Sequence, residues 1–159
     1  MKKIEINIEM DFCQIDELSE QDRDLVERAK QASNNSYARY SGFHVGAAVR
    51  LDGGEVVIGA NQENAAFPSG LCAERCAVFA AQSAHPEQGL ESLAIAARND
   101  KGFTPDPISP CGACRQVVLE MEDRYSHPVR VLLYGEKGVY VIRSVRDLLP
   151  LCFVDSNMH

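Results

Sequence analysis

At 159 residues, with 45% apolar and 25% charged residues, the chain has the length and composition of one globular domain, which excludes disorder, collagen and coiled coil as whole-chain descriptions. Its 16 basic residues against 23 acidic ones leave a formal charge of −7, which excludes the basic footprint that nucleic-acid binding needs and favours a small or neutral substrate. No apolar run approaches the roughly 18 residues of a membrane span, and Met1 to Met10, interrupted by Glu5 and Glu9, lacks the apolar stretch of a secretory signal, so a cytoplasmic protein without membrane attachment is expected.

Lys2 to Met10 alternates Ile4, Ile6 and Ile8 with polar residues, which predicts a short strand, either added at a sheet edge or covering a subunit contact. Ser19 and Asp22 form a helix-start pattern ahead of a helix near 21–36, with Leu25, Val26 and Ala29 on one face. Phe43 to Leu51 and Glu55 to Ala60 read as strands joined by the hairpin turn Asp52-Gly53-Gly54. A polar loop over 61–71 precedes the small, apolar helix Ala73 to Ala84. Leu93 to Ala97 is a short buried strand, and a Pro- and Gly-containing loop leads to a helix from about 111 to 123. Val129 to Tyr134 and Val139 to Arg143 are strands around Gly135–Gly138, followed by a short helix at 144–149. Helices alternating with strands imply an α/β sandwich whose sheet is partly parallel. With no linker in sight, the expectation is one domain over 21–159 behind an extension, 1–20.

Six cysteines stand at 13, 72, 76, 111, 114 and 152. Without a secretory signal, metal or catalytic roles outweigh a disulfide framework. Cys111-Gly112-Ala113-Cys114 follows Pro110 at a helix start, and residues three apart share a helix face, so this pair can grip one ion. Cys72, at the other loop–helix junction, supplies a third ligand. Three protein ligands with one open position is the pattern of a catalytic zinc site. Cys72-Ala73-Glu74 with a downstream Pro-Cys-x-x-Cys is a zinc-deaminase signature, in which the glutamate moves protons and binds no metal. Three thiolates leave zinc with a formal net charge of −1, which makes bound water a poorer acid. Helix N-termini at both clusters and Arg75, donating hydrogen bonds to ligand sulfurs from outside the ligand set, offset that charge. Cys76 reads as a small core residue, and Cys13 and Cys152 as bystanders.

Together the segments Tyr40-Ser41-Gly42-Phe43-His44-Val45-Gly46-Ala47-Ala48, Gly59-Ala60-Asn61-Gln62-Glu63-Asn64-Ala65-Ala66, Cys72-Ala73-Glu74-Arg75 and Pro110-Cys111-Gly112-Ala113-Cys114-Arg115-Gln116 resemble the cytidine deaminases of the small, homotetrameric, all-cysteine zinc type. The resemblance runs from about Ser33 to Phe153. It implies a three-layer α/β/α sandwich around a mixed five-stranded sheet, and one zinc ion per chain on Cys72, Cys111 and Cys114. Glu74 becomes the catalytic proton carrier. Asn61 and Glu63 hold the ribose hydroxyls, Phe43 packs on the pyrimidine, and the Ala73 backbone bonds the base carbonyl. Ala65, Phe67 and Phe153 fall where a homotetramer lends groups to neighbouring active sites; Phe67 departs from the usual tyrosine. The implied reaction is hydrolytic deamination of cytidine and deoxycytidine to uridine and deoxyuridine, with release of ammonia, in pyrimidine salvage. The implied partners are a small-molecule nucleoside and further copies of the chain.

Other readings compete. Cys111 and Cys114 resemble a thiol–disulfide oxidoreductase pair, but that leaves Cys72 and Glu74 without purpose. A structural zinc module needs a fourth ligand, and only one Cys-x-x-Cys is present. Within the deaminases, a cytosine nucleoside antibiotic is an alternative substrate.

Overall fold

The computed structural model describes residues 1–159. Its strands are β1 (Asp11–Cys13), β2 (His44–Leu51), β3 (Val56–Ala60), β4 (Leu90–Asn99), β5 (Gly102–Phe103), β6 (Arg130–Gly135) and β7 (Gly138–Ile142); its α-helices are α1 (Glu20–Ala32), α2 (Ala73–Ala84) and α3 (Gly112–Tyr125). The strands form one seven-stranded sheet in the order β1-β7-β6-β4-β2-β3, with β5 paired to the end of β4. Only β4 and β6 run parallel, and α3 lies in the crossover between them.

Alternation along the strands sorts side chains onto two faces. Ala47, Val49 and Leu51 of β2 and Leu93 and Ile95 of β4 meet Ala77, Val78 and Ala81 of α2 and Val118 and Leu119 of α3. On the opposite face Ala48, Ala94, Ala96 and Leu132 meet Leu25, Val26 and Ala29 of α1. This is the expected three-layer α/β/α sandwich. Each fully buried Leu or Val in it contributes about 1.5–3 kcal/mol. α1 starts as predicted, with the Asp22 N–H donating to Ser19 Oγ at 3.1 Å. Both helix–sheet contacts need glycine. A Cβ at Gly46 would strike the α1 backbone at Ala29, and one at Gly59 would strike α2 at Ala73 and Ala77. The second contact seats α2, and with it Cys72 and Glu74, directly on β3.

Five expectations change, the first being that β4 runs over Leu90–Asn99 rather than Leu93–Ala97 because buried Ser92 continues the strand. The sheet has seven strands rather than five, because β1 and β5 add short edge pairings. The strand expected over Lys2 to Met10 does not form; pairing begins at Asp11, opposite Val141, and β7 ends one residue later at Ile142. α1 ends at Ala32, where a 3₁₀ turn over Ser33–Asn35 takes over. The helix expected at 144–149 is a 3₁₀ turn, Val145–Leu148.

Candidate active site

Both cysteine motifs stand where a helix begins. Cys72 is the N-cap of α2 and Cys111 the N-cap of α3, each with extended backbone. A Ser, Thr, Asp or Asn there ordinarily closes an orphan N–H with its side-chain oxygen. Neither thiol makes such a cap, so both sulfurs are free to bind another group. Both sulfurs therefore sit at the partial positive charge of a helix end. Cys114 follows in the first turn of α3 and is buried.

The three sulfurs lie within 4.8 Å of one another, with Cys72 to Cys111 at 3.9 Å and Cys111 to Cys114 at 3.5 Å. Sulfurs bound at about 2.3 Å around a tetrahedral zinc stand about 3.8 Å apart, so this soft, convergent donor set fits zinc. Burial pushes the Cys114 thiol up, and the Glu74 carboxylate adds to that rise. At Cys111 burial is outweighed by the Cys114 backbone N–H and the thiols of Cys114 and Cys72, which hold the group below its ordinary value.

Glu74, in the first turn of α2, is 5% exposed. Its burial raises the carboxyl above the ordinary carboxylate range, against the pull of its own backbone N–H, the Cys114 thiol and the Arg75 charge. A carboxyl raised in this way holds a proton more readily than an ordinary carboxylate, which suits it to proton transfer. Arg75 Nη2 donates to Cys72 Sγ at 3.4 Å. Its hydrogen bond to Cys72, with a further one to Cys114, keeps the guanidinium firmly charged. Arg75 therefore adds a positive charge beside the sulfurs, as the charge argument requires.

A cavity of about 540 Å³ opens beside Cys72 and Arg75, a size suited to a small organic molecule. Asn61 and Glu63 line it, as do Tyr40, Ser41 and Phe67. Glu63 is held firmly: it accepts from the N–H groups of Tyr40 (2.6 Å) and Ser41 (3.3 Å) and from the Ser41 hydroxyl. The Ser41 hydroxyl bond, helped by the two backbone donors, keeps its carboxyl below the ordinary range. Asn61 pins β2 beside it, accepting from Val45 N–H at 2.8 Å and donating to the Phe43 carbonyl at 2.9 Å.

The remaining candidates are scattered around this centre. Ala73 is fully buried as the first residue of α2. Phe67 is 73% exposed and packs edge-on against Tyr40 with ring centroids 5.6 Å apart. Ala65 is exposed on the same loop. Phe43, half-buried, precedes β2 and does not line the cavity. Phe153 is exposed in the C-terminal tail and also stands off the cavity; its carbonyl accepts from Gln116 Nε2 at 2.8 Å. Sequence reasoning gave no role to Ser41 or Tyr40. The signal was present in Ser41-Gly42, a turn with Gly42 at φ +64° and the Phe43 N–H donating back to Ser41 Oγ at 3.0 Å.

Comparison with known proteins agrees with this geometry. Residues 19–126 match the family model for the cytidine and deoxycytidylate deaminase zinc-binding region. A cytidine deaminase of Halalkalibacterium halodurans is 39% identical over 135 residues, which cover 85% of this chain and 96% of that one. A cytidine deaminase of Mycobacterium tuberculosis is 41% identical over 128 residues, covering 79% and 84%. Among solved structures, the crystal structure of cytidine deaminase from Burkholderia pseudomallei superposes with a TM-score of 0.70 at 39% identity, covering 82% of this chain and 97% of that one. The chain belongs to the cytidine and deoxycytidylate deaminase family.

Proposed function

We propose that the protein hydrolytically deaminates cytidine and deoxycytidine to uridine and deoxyuridine, releasing ammonia, as a cytoplasmic enzyme of pyrimidine salvage. One observation carries the reading: three thiols converge within 4.8 Å at two helix starts, with a buried carboxyl, Glu74, in the adjoining helical turn. Cys72, Cys111 and Cys114 would hold one zinc ion per chain. When bound there, zinc acidifies a water molecule so that a nucleophile is available at neutral pH. Glu74 would take one proton from the attacking water and deliver it to N3 of the base, then take the second from the hydroxyl gained at C4 and pass it to the departing amine. Its raised proton affinity suits both directions of transfer.

Glu63 and Asn61 receive the ribose. A carboxylate fixed by three donors keeps lone pairs for sugar hydroxyls, and the Asn61 amide keeps one N–H. Arg75 tempers the charge of the sulfurs. Phe43 and the Ala73 backbone take the base. In a homotetramer, Ala65, Phe67 and Phe153 complete neighbouring sites; the exposure of both phenylalanines leaves them available for that contact. The working domain is 21–159, and 1–20 is an extension.

The test is the fall in cytidine absorbance on incubation with zinc-loaded protein. Turnover is expected for the unsubstituted chain, and Glu74→Ala should lose at least about 10²–10⁴ of it while keeping its zinc. A cytosine nucleoside antibiotic is run beside cytidine. No turnover of cytidine by fully loaded protein overturns the substrate assignment, and turnover of the antibiotic alone replaces it.

A further inference from the structure

Residues 1–10 lie before the family match, which begins at residue 19. Ile4, Ile6, Ile8, Met10 and Phe12 recur at every second position and are all exposed. Lys3, Glu5, Asn7, Glu9 and Asp11 take the alternate positions. Lys3 Nζ lies 2.7 Å from Glu5 Oε1, a contact between residues two apart that places both on one face of an extended chain. No backbone group of residues 1–10 makes a hydrogen bond within the chain. The segment runs into β1, the outermost strand on its side of the sheet. Because β7 ends at Ile142, one residue past the partner of Asp11, everything before Met10 passes beyond the strand that pairs with β1.

An extended, alternating, unpaired segment at a sheet edge is a template for another strand, and its charges select which one. Two copies can pair antiparallel so that facing residue numbers add to 12. Lys3 then faces Glu9 and Ile4 faces Ile8, each twice by symmetry. Ile6 faces its own copy, and Glu5 faces Asn7. Slipping by one residue sets apolar against polar positions. Slipping so that the numbers add to 14 sets Lys3 against Asp11 but Glu5 against Glu9 and Ile4 against Met10, and to 10, Glu5 against Glu5. Parallel pairing in register sets Lys3, Glu5 and Glu9 each against itself. Only the register summing to 12 sets every isoleucine opposite an isoleucine and joins opposite charges with no like charges face to face.

We propose that residues 3–9 are a pairing arm for a second copy of this chain, joined as an antiparallel two-strand ribbon in that register and continuous with β1 of each sheet. Directly opposed residues bring their Cβ atoms to about 4.5–5.5 Å, close enough for a disulfide with little movement. In the full-length, zinc-loaded chain, Ile6→Cys should therefore give a covalent dimer on mild oxidation, well above the background of the unsubstituted chain. Asn7→Cys should not, because residue 7 faces Glu5. Adding Glu9→Lys to Ile6→Cys should cut the yield several-fold, and adding Lys3→Glu as well should restore it. All these positions are remote from the cavity, so cytidine turnover by each variant should match the unsubstituted chain. The proposal is overturned if Ile6→Cys cross-links no more than background, if Asn7→Cys cross-links equally well, or if the charge swap fails to restore the yield.

Discussion

At the scale of single residues, Arg75 tests the electrostatic logic of the centre. Its guanidinium touches the Cys72 sulfur at 3.4 Å, and a charge-assisted hydrogen bond of this kind is worth about 1.5–3 kcal/mol. Arg75→Gln should lower kcat about tenfold or more by the same measure while zinc content, read by atomic absorption, falls much less. Normal turnover in the variant would remove Arg75 from the account. Ser41 acts at the other end of the cavity by orienting Glu63. Ser41→Ala should raise KM for cytidine several-fold with little change in kcat, and Ser41→Thr should recover part of the loss. Equal falls in kcat and kcat/KM would contradict a binding role. These two residues also mark what could be read from the chain itself. Cys72, Glu74 and Arg75 are neighbours in sequence, so their joint chemistry was legible. The Ser41-Gly42 turn is a local pattern, but its bond to Glu63 spans 22 positions, so the turn does not say which residue Ser41 holds.

At the scale of elements, α2 was legible to its ends because small apolar residues repeat at helical spacing between Cys72 and His85. β4 was shortened to Leu93–Ala97 because Glu91 and Ser92 interrupt its apolar run, although Ser92 is wholly buried in the sheet. Lys2 to Met10 has the alternation of a strand without an intramolecular strand to pair with. That contrast separates a local pattern, which sequence carries, from a partner, which topology supplies. Gly59 tests the seating of α2. With no space for a side chain between β3 and α2, Gly59→Val should destabilise by about 2–4 kcal/mol in chemical denaturation, and zinc retention should fall with it. Unchanged stability would mean that the contact is slack.

His127 ties the α3–β6 loop to the β2–β3 hairpin through Asp52, at 3.0 Å. The Pro128 carbonyl on one ring nitrogen and Asp52 on the other raise its pKa, against burial. A folded-state pKa above the unfolded value favours the folded protein while the imidazole is protonated. The contribution is therefore complete below the unfolded pKa of about 6.5 and disappears as pH climbs through the folded value. His127→Gln should lower unfolding free energy at about pH 5.5, by less than about 1 kcal/mol because the pair is partly exposed, and the gap should close as pH rises through the folded value. A gap that widens with pH would reverse the assignment.

At the scale of the whole molecule, an α/β sandwich was legible because alternating helices and strands leave few solutions, while its three layers followed from the family resemblance. The strand count was not, since β1 has three residues and β5 has two, too few to carry a periodicity. What the architecture accomplishes is convergence. The β4–α3–β6 crossover and the α2–β3 contact bring two helix N-termini together from positions 39 residues apart, and the sulfurs meet between them. The claim on which function depends is that this meeting point holds zinc with three sulfurs and one open position. X-ray absorption at the zinc edge of the purified chain tests it most directly. The account predicts three sulfur neighbours at about 2.3 Å and one light atom at about 2.0 Å; two or fewer sulfurs, or a fourth sulfur closing the site, would contradict it.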